Sequence, residues 1–308
     1  MAVRLSTSLW CMSLLSILTP LSAAAHGYAG ERFFPATLAT DDPFAGDEFG
    51  LLTHYVKARN DEGELTNTAE QMVEWSKRIT PNLALSLGAD YAYLDPRHEP
   101  AQHGFDNFEL GMTYMLWISA QHEAIVSVGL DADLGGTSTG GIGESYSTFA
   151  PSLLFGKGLG DLPESMKYLR PLAVTGIVSR EFPTRADEPK VISWGMSLQY
   201  NLPYLNAFVH ESGWSQPWRN MIPLIEASME SCTSGECAGK TTGTINPGVI
   251  WMSRNYGQIA LEATIPVNDR TGPHVGVLLQ FHFYIDDIFP QTLGAPLFGS
   301  APRRTSTL

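Results

Sequence analysis

The sequence predicts an all-β protein, a closed antiparallel transmembrane β-barrel of about twelve strands with periplasmic termini. Three observations carry that prediction. Runs of about ten residues alternate apolar with polar or small residues almost end to end, as membrane-crossing strands do. Turn-rich segments separate the runs. An export-type leader precedes them.

The run from Leu83 to Tyr93 shows the alternation most clearly. Leu83, Leu85, Leu87, Ala89, Tyr91 and Tyr93 share one parity, and Ala84, Ser86, Gly88, Asp90 and Ala92 share the other. Side chains alternate across a strand, so this run has one apolar face and one wet face. A periplasmic β-sandwich would alternate in the same way, its apolar faces meeting each other. The leader favours a barrel, because alternating strands on an exported chain are the signature of an outer-membrane protein.

Residues 1–25 read as a signal peptide. Arg4 gives a positive start, Leu9 to Leu18 a short apolar core, and Ala23 to Ala25 small residues for cleavage. That core is too short to span a bilayer. No Cys follows the cleavage region, so a lipid anchor is not expected. Residues 26–46 (HGYAGERFFPATLATDDPFAG) form an irregular lead-in, rich in turn residues. The barrel is assigned to 47–286 and a C-terminal periplasmic tail to 287–308.

Strands are expected near 48–58, 68–79, 83–94, 105–118, 123–134, 145–156, 168–179, 190–200, 220–230, 243–253, 257–267 and 274–285. An even count suits a bacterial single-chain barrel. Connections alternate in length, as short periplasmic turns and longer outer loops would. The short ones are 80–82, Ser119 to His122 and Arg254 to Tyr256. Asn201 to Arg219 is a long exception on the periplasmic side, where Leu205, Phe208 and Val209 have the spacing of a short amphipathic helix. Trp117, Tyr200, Trp251, Phe281 and Phe283 fall near periplasmic strand ends, and Tyr91 and Tyr93 near an outer end. Aromatic girdles of this kind are expected at both interfaces.

Composition narrows function. Charged residues are 17% of the chain, against about 25% in soluble domains. Net charge is -13, and Arg4 is the one charged residue of the leader, so the exported chain carries -14. Such a balance argues against nucleic acid as a partner. Cys232 and Cys237 (SCTSGEC) suit a small disulfide clasp in an oxidising compartment.

With the small and polar strand faces turned inward, the lumen set comprises Glu74, Arg78, Asp90, Glu109, Asp131, Asp133, Glu226, Glu262, Gln280 and His282. Carboxylates dominate it. Buried carboxylates pair, bind ions or sit in water. They therefore point either to a cation-leaning path for small solutes or to a network with Arg78, Lys57 and Arg170 that fills the barrel. A lipid-modifying enzyme is the alternative, with His54 or His274 as base, but no GxSxG is present. A closed structural or metal-binding barrel is the third reading. No cofactor is expected in the barrel. Cleavage before or near His26 would create an amino-terminal site suited to Cu(II) or Ni(II). His98 and His103 (RHEPAQH) lie in an outer loop.

The segment His274-Val275-Gly276-Val277-Leu278-Leu279-Gln280-Phe281 resembles the outer-membrane assembly signal, although the chain continues beyond its aromatic. That resemblance implies delivery to the barrel-assembly machinery. Lead-in, strand rhythm and the closing HFYIDDIFP make most of the chain similar to outer-membrane transporter proteins grouped with the phenol meta-pathway barrels. The resemblance implies a Gram-negative outer-membrane location, with membrane lipid and an unidentified small solute as partners.

Overall fold

A computed structural model describes residues 27–59, 65–253 and 257–299. The segment read as a signal peptide, His26, residues 60–64, the expected short connection Arg254 to Tyr256 and residues from 300 onward lie outside the described residues.

The wall consists of β1 (Glu48–Arg59), β2 (Leu65–Thr80), β3 (Leu83–Pro96), β4 (Phe108–Ser119), β5 (Ala124–Leu134) and β6 (Thr148–Gly158). It continues with β7 (Leu172–Arg180), β8 (Val191–Tyr200), β9 (Met221–Cys232), β10 (Thr241–Ser253), β11 (Gly257–Pro266) and β12 (Gly276–Tyr284). Neighbouring strands pair antiparallel, and β12 closes onto β1 with Val277 opposite Tyr55 and Tyr284 opposite Glu48. The predicted twelve-stranded closed barrel is thus the observed fold. Closure leaves the wall without an open edge, which is what a strand-built membrane protein requires.

Alternation decides which way each side chain points. On β11, Ile259, Leu261 and Ile265 are exposed on the outside, while Ala260, Glu262 and Thr264 are buried within. On β12, Val277, Phe281 and Phe283 face out while Leu278, Gln280 and His282 face in. Leu153, Phe155, Trp194 and Met196 extend the same exposed apolar surface. In water such a belt would be an aggregation surface, whereas in a bilayer it is the lipid contact. None of the described helices is long and apolar enough to cross a membrane.

Residues 27 and 299 lie at one end of the barrel, here called the near end. Connections 81–82 and 120–123 at that end are tight, while 159–171 and 201–220 are long. The first of these long connections is a departure from expectation. β7 starts at Leu172 rather than near 168, because Glu164–Leu169 coil into a 3₁₀ helix. Glu164 pairs there with Lys167 and Arg170. In the second, helical residues do occur over 202–209, capped by the Asn201 side chain, which accepts the Tyr204 N–H at 2.9 Å. The buried face is Leu202, Tyr204 and Leu205, and Phe208 is exposed. A wide turn closed by His210 N–H on the Leu205 carbonyl rotates Phe208 outward. At the far end, Gln102–Phe105 pairs antiparallel with Tyr91 to Leu94 of β3, and Phe182–Pro183 pairs with β6. Cys232 and Cys237 are joined by a disulfide across a far-end turn.

The tail crosses the near-end mouth. The Asp47 carboxylate accepts from Lys77 Nζ at 2.5 Å and from Arg78 Nε at 2.6 Å. Arg78 also donates to the Gly294 carbonyl at 2.7 Å and faces Asp286 at 3.3 Å. This clasp joins the start of β1, the end of β2 and the tail.

Replacing Leu261 by Arg places a charge mid-strand on the lipid face. Urea unfolding from lipid vesicles should show a loss of about 2–4 kcal/mol.

Candidate functional site

The segment that the sequence shows as an irregular lead-in is an inner plug. Tyr28–Ala29 and Arg32–Phe33 form a two-residue-per-arm hairpin at the near end. Gly30 makes its turn at φ +66°, so close to the wall that a Cβ there would sit 2.2 Å from the Ala120 carbonyl oxygen. From Phe34 the chain rises into the lumen, turns at Thr40 to Asp42, and descends to Asp47, the residue before β1.

Two apolar contacts seat it. Phe34 and Phe44 pack with Met115, Ile125 and Ala173 on one side. Leu38 packs with the inward side chains Ile222, Leu224, Ile250, Ala260 and Leu278 on the other. Burying a Phe or Leu contributes about 1.5–3 kcal/mol each. A plug also exposes backbone groups, and the wall answers them. Glu226 Oε2 accepts the N–H groups of Leu38 at 3.0 Å and Ala39 at 2.7 Å, while Oε1 accepts the Thr40 hydroxyl at 2.7 Å. Gln258 Nε2 donates to the Ala36 carbonyl at 2.5 Å, and Gln280 Nε2 to that of Thr37 at 3.1 Å. Ser127 Oγ donates to the Pro43 carbonyl at 2.5 Å. Gly195 leaves room for Thr40, whose Cγ2 would lie 2.3 Å from any Cβ there.

Arg32 locks the base. Its Nε donates to Glu123 Oε2 at 3.1 Å, and its other nitrogens reach the Pro171 and Arg170 carbonyls. Its guanidinium lies over the Tyr204 ring, 3.7 Å from the centroid, a cation–π contact. Burial draws the Arg32 pKa below its ordinary range, and the Glu123 carboxylate works against that shift. Burial and the same carboxylate push the Tyr204 phenol up, so it stays protonated and donates to Glu123 Oε1 at 2.8 Å.

The plug does not fill the lumen evenly. Beside it, along β2 to β6, a cavity of about 360 Å³ remains, lined by Glu74, Ser86, Gly88, Asp90, Glu109, Gly111, Thr113, Gly129, Asp131 and Ser152, with Asp41 at the plug tip. Small residues hollow it out. Gly88 lies opposite Glu109 and Gly111 opposite Asp131, so the long carboxylates fold over positions that have no side chain. An outer chamber of about 460 Å³ shares Asp41, Glu109 and Asp131 and adds Asp106, Asp133, Glu144 and Glu181. No Lys or Arg is among the described residues lining either space. An acidic path therefore runs from the far-end loops down to the plug.

The sequence-selected residues separate into four places. Glu74, Asp90, Glu109 and Asp131 line the inner cavity with Gln280 and His282 at its edge, and Asp133 lines the outer chamber. Glu226 and Glu262 point inward but lie under the plug, buried to 0% and 2% exposure, away from the open path. Arg78 belongs to the mouth clasp and lines neither space. Arg170 lies on a near-end connection, so the cation holding the plug base is Arg32, which sequence reasoning missed. Its only prior signal was being a lone cation between turn residues of the lead-in. His54, the base considered for a lipid-face enzyme, stands opposite the inward Leu278 and pairs with Glu70 at 3.1 Å, so it faces the lumen. His274 is exposed near the last far-end turn. His103 Nδ1 lies 2.9 Å from the Tyr91 hydroxyl.

A scan against protein-family models finds no match, and a search of curated proteins finds no relative. Among solved structures, the chain resembles the COG4313 outer membrane channel from Pseudomonas putida F1, with 12% identity and a TM-score of 0.51 over 82% of this chain and 99% of that one. It also aligns with the KdgM porin (10% identity, TM-score 0.46, 77% of this chain and 98% of that one). The NanC porin aligns at 8% identity and a TM-score of 0.46, again over 77% and 98%. The likeness to the Pseudomonas channel is one of fold: this chain is a β-barrel of the outer-membrane type.

Changing Arg32 to Met leaves Glu123 buried without its cation. Breaking a buried pair costs about 3–5 kcal/mol, so amide hydrogen exchange over residues 33–45 should accelerate while the wall strands keep their protection.

Proposed function

We propose that this protein is a Gram-negative outer-membrane barrel that passes small cationic or neutral solutes and that its plug controls passage. The near end, with both described ends of the chain, is then the periplasmic side, and the long far-end loops face outward. The exposed apolar belt supports the membrane setting, with outer-membrane lipid around the wall and the barrel-assembly machinery as the partner in biogenesis. The sequence resemblance to the phenol meta-pathway barrels accords with this setting and leaves the solute open.

One observation carries the reading: a continuous acidic path with no Lys or Arg in its described lining, ending at a loop docked by side-chain hydrogen bonds rather than built into the wall. Carboxylate-lined constrictions favour cations by stabilising them where water is stripped away. The plug lies across the near half of the lumen, so passage requires it to shift. The inward-facing His54 takes support away from a lipid-face enzyme, while the seated plug makes a closed barrel the resting form.

Planar-bilayer recording tests this. The full exported chain should conduct weakly, and removing residues 27–46 should give larger steps with a cation-selective reversal potential in a salt gradient. Glu226→Ala, which removes the acceptor of the plug tip while leaving the wall, should also raise conductance. The double change Glu109→Gln and Asp131→Asn should reduce cation preference. Anion selectivity in the plug-less barrel, or selectivity indifferent to Glu109 and Asp131, would refute the proposal.

A further inference from the structure

The wall of β7 to β11 carries a second set of polar side chains, distinct from the acidic path. Thr175 pairs with Ser197, Ser197 with Glu226, and Glu226 with Asn246, so four inward side chains stand in one row. Directly paired residues place their Cβ atoms about 4.5–5.5 Å apart. Gln199 lies two residues along β8 on the same face. Glu262 approaches from the other side of β10, opposite Gly248. A Cβ on Gly248 would lie 2.4 Å from Glu262 Cγ, so Glu262 leans across β10 through the space that glycine leaves. Its charged neighbour is Glu226.

These groups are sealed under the plug. Thr175, Ser197, Glu226 and Asn246 are fully buried, and Gln199 and Glu262 are 1% and 2% exposed. Both amide atoms of Asn246 and of Gln199, Thr175 Oγ1 and Ser197 Oγ have no hydrogen-bond partner among the described residues, and the Glu262 carboxyl meets the Glu226 carboxyl rather than any cation or donor of the wall. Buried polar groups are almost always satisfied, and two adjacent buried carboxylates need a neutralising partner. The row itself contains no Lys, Arg or His.

We propose that Glu226, Glu262, Asn246 and Gln199, assisted by Ser197, bind a divalent cation of the calcium type. The acceptors are all oxygen: carboxylate, amide carbonyl and hydroxyl. Such a set suits a hard cation, and two carboxylates balance a double positive charge. Calcium accepts irregular sets of six to eight oxygens, whereas magnesium keeps several of its waters and fits a sealed wall poorly. Glu226 already uses its oxygens for Leu38, Ala39 and Thr40, but each carboxylate oxygen has a second lone pair. The cation thus bridges the wall to the residue that holds the plug tip, and its occupancy is linked to a seated plug. None of the five residues lines the acidic cavity.

The test uses the full exported chain refolded in detergent and stripped with chelator. Calorimetric titration with calcium chloride should show one saturable site that discriminates against magnesium, and the thermal midpoint should rise with calcium and fall on chelation. Glu262→Gln preserves shape while removing a charge and should weaken binding at least about tenfold. Asn246→Ala, a second and independent variant, should weaken it too. Absence of a saturable site overturns the proposal, as does calcium binding unchanged in both variants. A midpoint that moves with pH and ignores calcium overturns it as well, assigning the two carboxyl groups a shared proton instead.

Discussion

Twelve strands enclose a lumen too wide for wall side chains to fill by themselves, as eight can, and too narrow to be a broad channel, as sixteen are. What occupies that space depends on one carboxylate. Glu226 takes three donors from the tip of the plug, and no other wall residue described takes as many from it. Unanswered, each buried backbone N–H would cost about 1–3 kcal/mol. The latch works in concert with an apolar constraint. Ile222, Leu224, Ile250, Ala260 and Leu278 point into the near half of the lumen. Water there would expose them, and Leu38 covers them instead. The plug is therefore the hydrophobic core of a protein whose other apolar surface faces lipid.

The plug tip leans on β8 to β12 and its two phenylalanines on β4, β5 and β7, so the plug divides the interior by chemistry. Under the tip the wall is sealed, with the apolar ring around Leu38 and the buried polar row of Glu226 beside it. On the opposite side, β2 to β6 present Ser86, Gly88, Gly111, Gly129 and Ser152 between their carboxylates, and those small residues keep the space open. Segregation of this kind lets one barrel combine a docked plug with an open acidic path. Neither half works without the other: a centred plug would fill the path, and a loose one would expose the apolar ring.

The base of the plug is fastened by different means. Arg32 has its charge matched by Glu123, its flat face covered by Tyr204 and one donor on each terminal nitrogen taken by a backbone carbonyl. Asp47 at the exit is gripped by Lys77 and Arg78, and Arg78 also holds the tail. At the tip, by contrast, the donors of Leu38, Ala39 and Thr40 all converge on one wall side chain, Glu226.

The amino-acid order by itself determined the wall. Period-two alternation through runs such as Leu83 to Tyr93 dictates which side chains meet lipid, and turn residues dictate where strands end, so strand number and the inward direction of Glu74, Asp90, Glu109, Asp131, Glu226 and Glu262 were legible. These are local properties, set by neighbours in sequence. Residues 27–47 carry no such period, so their place could not be read; their partners lie as far away as Glu226, Gln258 and Tyr284. The same limit hid the 3₁₀ helix at Glu164–Leu169, whose apolar Met166 and Leu169 resemble the start of a strand. Only the tertiary structure decided which inward carboxylates hold the plug and which line the cavity, because that depends on which wall the plug lies against.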